Sequence, residues 1–126
     1  MFASRLTLTI ALSMGMTAAA LAQPSAPVVV VNLQSYSYSP TPIRLAAGKP
    51  VTLQFVNRSG KGHDFTARQF FASAKLLSGR VEDGEVDLGG GKSASVTLVP
   101  AAGTYAVHCS RPFHKALGMH SVIVVH

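Results

Sequence analysis

Two short runs of alternating apolar residues, Thr104 to His108 and Ser121 to Val125, bracket a loop that carries Cys109, His114 and Met119. The spacing is C-x4-H-x4-M, and it constrains the fold strongly. A thiolate, an imidazole and a thioether can serve one ion only if the strands on both sides hold the loop shut. Soft sulfur donors with imidazole favour copper, and two histidines, one cysteine and a weak axial methionine form an electron-transfer geometry. The set lacks one imidazole, which His63, far upstream in Gly62-His63-Asp64-Phe65, can supply.

Composition sharpens the reading. Cys109 is the single cysteine, and the other methionines, Met1, Met14 and Met16, all lie in an N-terminal leader. Packing alone would use Cys109 as a small apolar residue and Met119 as a gap-filler. One cysteine and one remaining methionine flanking a histidine on a single loop argue for ligation instead. Alternation along Thr104 to Cys109 turns Tyr105, Val107 and Cys109 to one face and Ala106 and His108 to the other. Cys109 therefore points inward, and His108 points away.

The leader spans residues 1–22. Arg5 forms a positive start, Leu6 to Met16 a short apolar stretch, and Ala20-Leu21-Ala22 an A-x-A cleavage signal. That stretch is too short and too rich in Ser and Thr for a stable membrane span. The reading is of an exported, periplasmic-type chain whose residues 23–126 form one domain. A lone thiol in an oxidising compartment is a liability unless a buried metal protects it. Loss of Arg5 takes one charge from the +6 of the whole chain, leaving a basic domain suited to an acidic partner. The basic residues are scattered, and with export this excludes a nucleic-acid role. The acids Glu82, Asp83, Glu85 and Asp87 cluster in one segment, which reads as a solvated turn and strand edge.

The rest of the domain reads as short strands. Val28 to Leu33 is β-branched, Ile43 to Ala46 follows a Pro-rich break, and Val51, Leu53 and Phe55 alternate with polar residues. His63 falls in a Gly-flanked loop. Phe70, Phe71, Ala74 and Leu77 form one helical stripe, with Thr66 to Gln69 as a capping box and Gly79 as the stop. Glu85 to Leu88, Ala94 to Leu98, Thr104 to Cys109 and Ser121 to Val125 complete about seven strands. Short strands, many turns and one short helix indicate an all-β sandwich.

These residues resemble the cupredoxins, the small blue copper proteins related to plastocyanin and azurin. The likeness rests on Val51 to Asn57, Gly62-His63-Asp64-Phe65, and Gly103-Thr-Tyr-Ala-Val-His-Cys109 through His114 to Gly118-Met119. It covers about residues 28 to 126 and implies a Greek-key sandwich. The four-residue gaps are similar to those of the longer-loop members, rusticyanin and the plant phytocyanins. The resemblance implies one copper per chain, with His63, Cys109 and His114 as equatorial ligands and Met119 as the axial one. It implies that Asp64 ties the two ligand loops together, with Ser110 as its partner. It also implies an electron exit at the edge of His114 beside Phe113, although Phe113 could equally be a core residue. In one respect the chain departs from the family: Pro112-Phe113 stands where Pro-Gly is usual.

Three functions compete. The first is a single-electron carrier working with a redox protein that presents an acidic face. The second is a copper carrier or resistance protein, to which His108, His120 and His126 would lend extra ligands. Carriers favour Met- or His-rich clusters, however, and a single mature methionine is present. The third, an oxidase, requires His-x-His pairs and a histidine directly after the cysteine. Ser110 occupies that place, and the chain has no His-x-His.

Overall fold

The computed structural model describes residues 10–17 and 25–126. Residues 10–17 are exposed and irregular, whereas the cleavage signal Ala20 to Ala22 lies outside the described residues. No described helix is long and apolar enough to cross a membrane.

Among the described residues the chain forms ten strands and one helix. They are β1 (Val28–Gln34), β2 (Ser37–Ser39), β3 (Ile43–Leu45), β4 (Val51–Asn57), β5 (His63–Thr66), α1 (Arg68–Ser73), β6 (Lys75–Ser78), β7 (Glu85–Leu88), β8 (Ser93–Val99), β9 (Gly103–His108) and β10 (His120–Val125). They build a Greek-key sandwich of two sheets, ordered β2-β1-β4-β8-β6 and β3-β10-β9-β5-β7. β1 pairs parallel to β4 and β3 parallel to β10, and the remaining ladders are antiparallel.

The period-2 pattern of β4 explains its place at the centre of the first sheet. Val51, Leu53, Phe55 and Asn57 are buried, and the residues between them are half-buried. Phe55 meets Phe65 of the opposite sheet with ring centroids 4.7 Å apart. Both rings are fully buried, and each such side chain stabilises the fold by about 1.5–3 kcal/mol. Asn57 closes β4 by donating through Nδ2 to the carbonyls of Lys61 (2.7 Å), Leu88 and Gly89 (3.1 Å each). It thereby pins the loop that delivers His63.

The helix is shorter than its apolar stripe predicts. α1 ends at Ser73, Ala74 is extended (φ −84°, ψ 153°), and Lys75 and Leu76 pair with Val99 and Leu98. The open edge of β8 captures this segment, so Leu76 and Leu77 are each 48% exposed instead of lining a helix face. The capping box does not form either. Ala67 is the cap residue and makes no side-chain cap bond, while the Thr66 hydroxyl donates to Asp64 Oδ1 at 2.7 Å. The strands beyond the expected set are short: β2, β5 and β6 lie where the sequence reads as a break, a loop and a helix.

Candidate metal centre

Three sheet elements converge at one end of the sandwich. His63 opens β5, Cys109 directly follows β9, and Met119 directly precedes β10. His63, Cys109 and Met119 are fully buried, and His114, at the middle of the 109–119 loop, is half-buried. His63 Nδ1 faces His114 Nδ1 at 3.1 Å, and Cys109 Sγ lies 3.4 Å from the same His114 nitrogen. All three donor atoms fall within 4.8 Å of one another.

Backbone bonds shape the loop. The Cys109 amide donates to the Met119 carbonyl (3.1 Å), and the Met119 amide donates to the His114 carbonyl (3.0 Å). Inside it, the His114, Leu117 and Gly118 amides donate to Arg111, Phe113 and Lys115 carbonyls. Phe113 adopts φ +66°, a left-handed conformation that glycine takes easily and other residues take at a cost of about 1–2 kcal/mol. The backbone thus keeps a glycine-type turn although the residue is phenylalanine. The ring projects outward and is 81% exposed, which removes the reading of Phe113 as core.

Asp64 joins the two ligand segments, as the resemblance implies. Its Oδ1 accepts from the Ser110 amide (2.8 Å) and its Oδ2 from the Ser110 hydroxyl (2.6 Å). Its own amide donates to Cys109 Sγ at 3.5 Å. Tyr38 anchors the same residue by donating its hydroxyl to the Asp64 carbonyl. Burial pushes the Tyr38 phenol far up, so it stays a donor.

Burial, then the facing His114 and the nearby Arg111, lower the basicity of His63. A neutral imidazole with a free nitrogen is what ligation requires. Burial pushes the Cys109 thiol up, opposed by the Asp64 and Arg111 amides. Its proton must therefore leave when a metal arrives. Two imidazole nitrogens and a sulfur facing one another inside the protein match a borderline-soft cation, so the donor set fits copper.

Spacing gave no sign of two participants. Ser35 Oγ lies 2.8 Å from His63 Nε2, and Tyr36 packs edge-on to His114 and His63 at 4.9 and 6.0 Å. Both belong to the turn between β1 and β2. The available signal was the polar Ser35-Tyr-Ser-Tyr-Ser39 break after an apolar strand. The acidic segment also differs from a plain solvated edge. Asp87 pairs with Arg111 at 2.8 Å, and Glu85 is half-buried beside Thr66 and Ser110.

A search of curated proteins gave no match. Among solved structures, auracyanin B is 26% identical, with 84% of this chain and 93% of that one covered at a TM-score of 0.58. Reduced auracyanin from Roseiflexus castenholzii is 19% identical, covers 82% and 99%, and scores 0.59. The McoA multicopper oxidase of Aquifex aeolicus is 13% identical and scores 0.64, but only 30% of that enzyme is covered against 84% of this chain. The oxidase therefore shares a fold with this chain. The family model for copper-binding proteins of the plastocyanin/azurin family matches residues 27–126. With that match spanning the sandwich and its donor cluster, the chain belongs to the plastocyanin/azurin family, and copper is its metal.

Proposed function

We propose that this chain is exported by its 1–22 leader and then carries single electrons between redox partners. His63, Cys109 and His114 would hold one copper ion, with the Met119 thioether as a further, weaker donor. One observation carries the reading: three of these four side chains are fully buried, and only His114 reaches toward solvent. A donor set closed within the protein leaves no open position for a substrate, which metal-assisted hydrolysis or oxygen chemistry needs. The bound copper supplies a one-electron Cu(II)/Cu(I) couple. The chain's residues supply rigidity. Asp64 locks the loop to β5, Ser35 orients the His63 ring, and the Asp64 amide steadies the thiolate. The His114 edge, packed against Tyr36 and flanked by Phe113, is the exit for the electron.

The docking face follows from the same end of the molecule. Phe113 and Leu117 expose 81% and 59% of their surface. Lys61 lies 3.4 Å from the Tyr36 hydroxyl, Arg58 is bonded to Asn32, and Lys115 is exposed on the loop. Arg111 is committed to Asp87 and adds little free charge. An exposed apolar pair with Lys115 on the same loop and Lys61 beside Tyr36 suits a partner with an acidic face, whose attraction speeds encounter more than it tightens the complex.

Adding one equivalent of Cu(II) to the metal-free protein tests the reading. An intense visible thiolate-to-copper band is expected, absent in Cys109→Ser and retained in Met119→Leu with a raised potential. A colourless wild-type complex would overturn it in favour of a copper carrier.

A further inference from the structure

His108 and His120 take no part in the buried centre, yet the sheet sets them directly opposite each other. They are register partners across β9 and β10. Alternation turns both outward: Val107 on β9 and Cys109 just after it, and Met119 just before β10 and Ile123 on it, are buried, while His108 is half-buried and His120 exposed. The ladder also fixes their spacing. Because the Cys109 amide donates to the Met119 carbonyl, the next opposed pair falls at the closer, non-hydrogen-bonded separation. Directly opposed side chains there have Cβ atoms about 4.5–5.5 Å apart. Two imidazoles at that separation can reach one ion at bond lengths of about 2.0–2.1 Å.

From this juxtaposition we propose that His108 and His120 form a second, outward-facing site for a borderline divalent cation, electrostatically coupled to the buried copper. Imidazole suits Cu(II), Ni(II) and Zn(II), with Cu(II) bound most tightly, and water completes the coordination. His108 also lines a hollow on the β5 side of β9 with Thr66, Arg68, Gln69 and Ala106, and a cation held by the pair would draw its ring toward His120. The coupling is through space, and sequence adjacency keeps the two sites close, since His108 precedes Cys109 and His120 follows Met119. A dication there raises the energy of the more positive, oxidised centre and so raises its reduction potential. By reciprocity, reduction tightens binding of the outer cation by the same factor. This coupling rests on the redox reading above, whereas the outer site itself does not.

Ni(II) titrated into the copper-loaded protein tests the proposal, because nickel does not outcompete Cu(II) for the buried donors. Calorimetry should show one Ni(II) bound while the visible band persists. His108→Gln and His120→Gln should each weaken binding at least about tenfold and leave that band unchanged. His126→Gln is the control, at the far end of β10, about 20 Å away at the rise of a strand. Saturating Ni(II) should raise the potential of wild type and leave both variants unmoved. A nickel isotherm indifferent to both substitutions, or a saturated wild type at unchanged potential, overturns the proposal. Failure of the electron-carrier reading would show separately, as a colourless copper complex, and the nickel isotherm would still be read on its own.

Discussion

The two segments that meet at the copper site are held in opposite ways. His63 belongs to a four-residue strand whose residues are all buried, paired through its length with β7 and clamped at its start by Asn57. The 109–119 loop is a string of exposed turns with a left-handed phenylalanine at its centre. Its own turn bonds are backbone bonds, and its side-chain ties to the neighbouring strands are Ser110 to Asp64 and Arg111 to Asp87. One segment is positioned by folding, and the other is positioned by being tied to the first. The buried strand serves as the template on which the exposed loop is registered.

Cutting the tie to Asp64 should have the largest effect. Asp64→Ala leaves the buried Thr66 hydroxyl and the Ser110 amide without their charged acceptor, and should destabilise the copper-free protein by about 3 kcal/mol. Urea melts measure this, and a loss under 1 kcal/mol would show that the loop holds its own shape. Next, Ser35→Ala releases the His63 ring on the rigid side. Loss of such an outer partner lowers metal affinity about 10–100-fold, readable by competition with a copper chelator. Unchanged affinity would mean that packing against Tyr36 alone orients the ring.

The pH profile separates the two segments. His63 resists protonation in the fold, so below its ordinary value of 6.5 the unfolded chain takes up a proton that the native state refuses. Copper-free stability should fall as pH drops through that point, by up to about 1.4 kcal/mol per pH unit. Cys109 keeps its proton in the fold, so stability should also fall as pH rises past its ordinary 9.0. Copper loading should abolish this alkaline limb, because the ligating thiolate is already deprotonated. A flat copper-free profile between pH 5 and 8 would place His63 in contact with water.

The smallest effects belong to the loop's outer surface. Phe113→Gly relieves the left-handed residue but adds backbone freedom to the unfolded chain, so stability should change by less than about 1 kcal/mol. The copper spectrum should stay as it is, and electron transfer to an acidic partner should slow through lost apolar contact. Lys115→Glu should slow the same reaction mainly at low salt, since charge attraction is screened over about 8 Å at physiological ionic strength. Stopped-flow rates insensitive to both substitutions would move the docking site elsewhere.

Much of this was readable from residue order alone. Period-2 alternation identified β4, β8 and β9 and the inward aim of Cys109, because the side-chain direction of a strand is a local property. The helical stripe from Phe70 to Leu77 misled for the opposite reason. A local pattern cannot know that β8 offers an open edge, and ladder bonds there outweighed helix propensity after Ser73.

Donor chemistry is a property of residue types, so the Cys-His-Met loop announced a copper-favouring site without any fold. Which groups orient and insulate those donors is decided by packing between distant segments. His63 meets His114 across 51 positions, Ser110 meets Asp64 across 46, and Ser35 meets His63 across 28. No spacing rule spans such separations. The order of strands in the two sheets brings these residues to one end of the sandwich, and the same register sets His108 against His120 on its outer face.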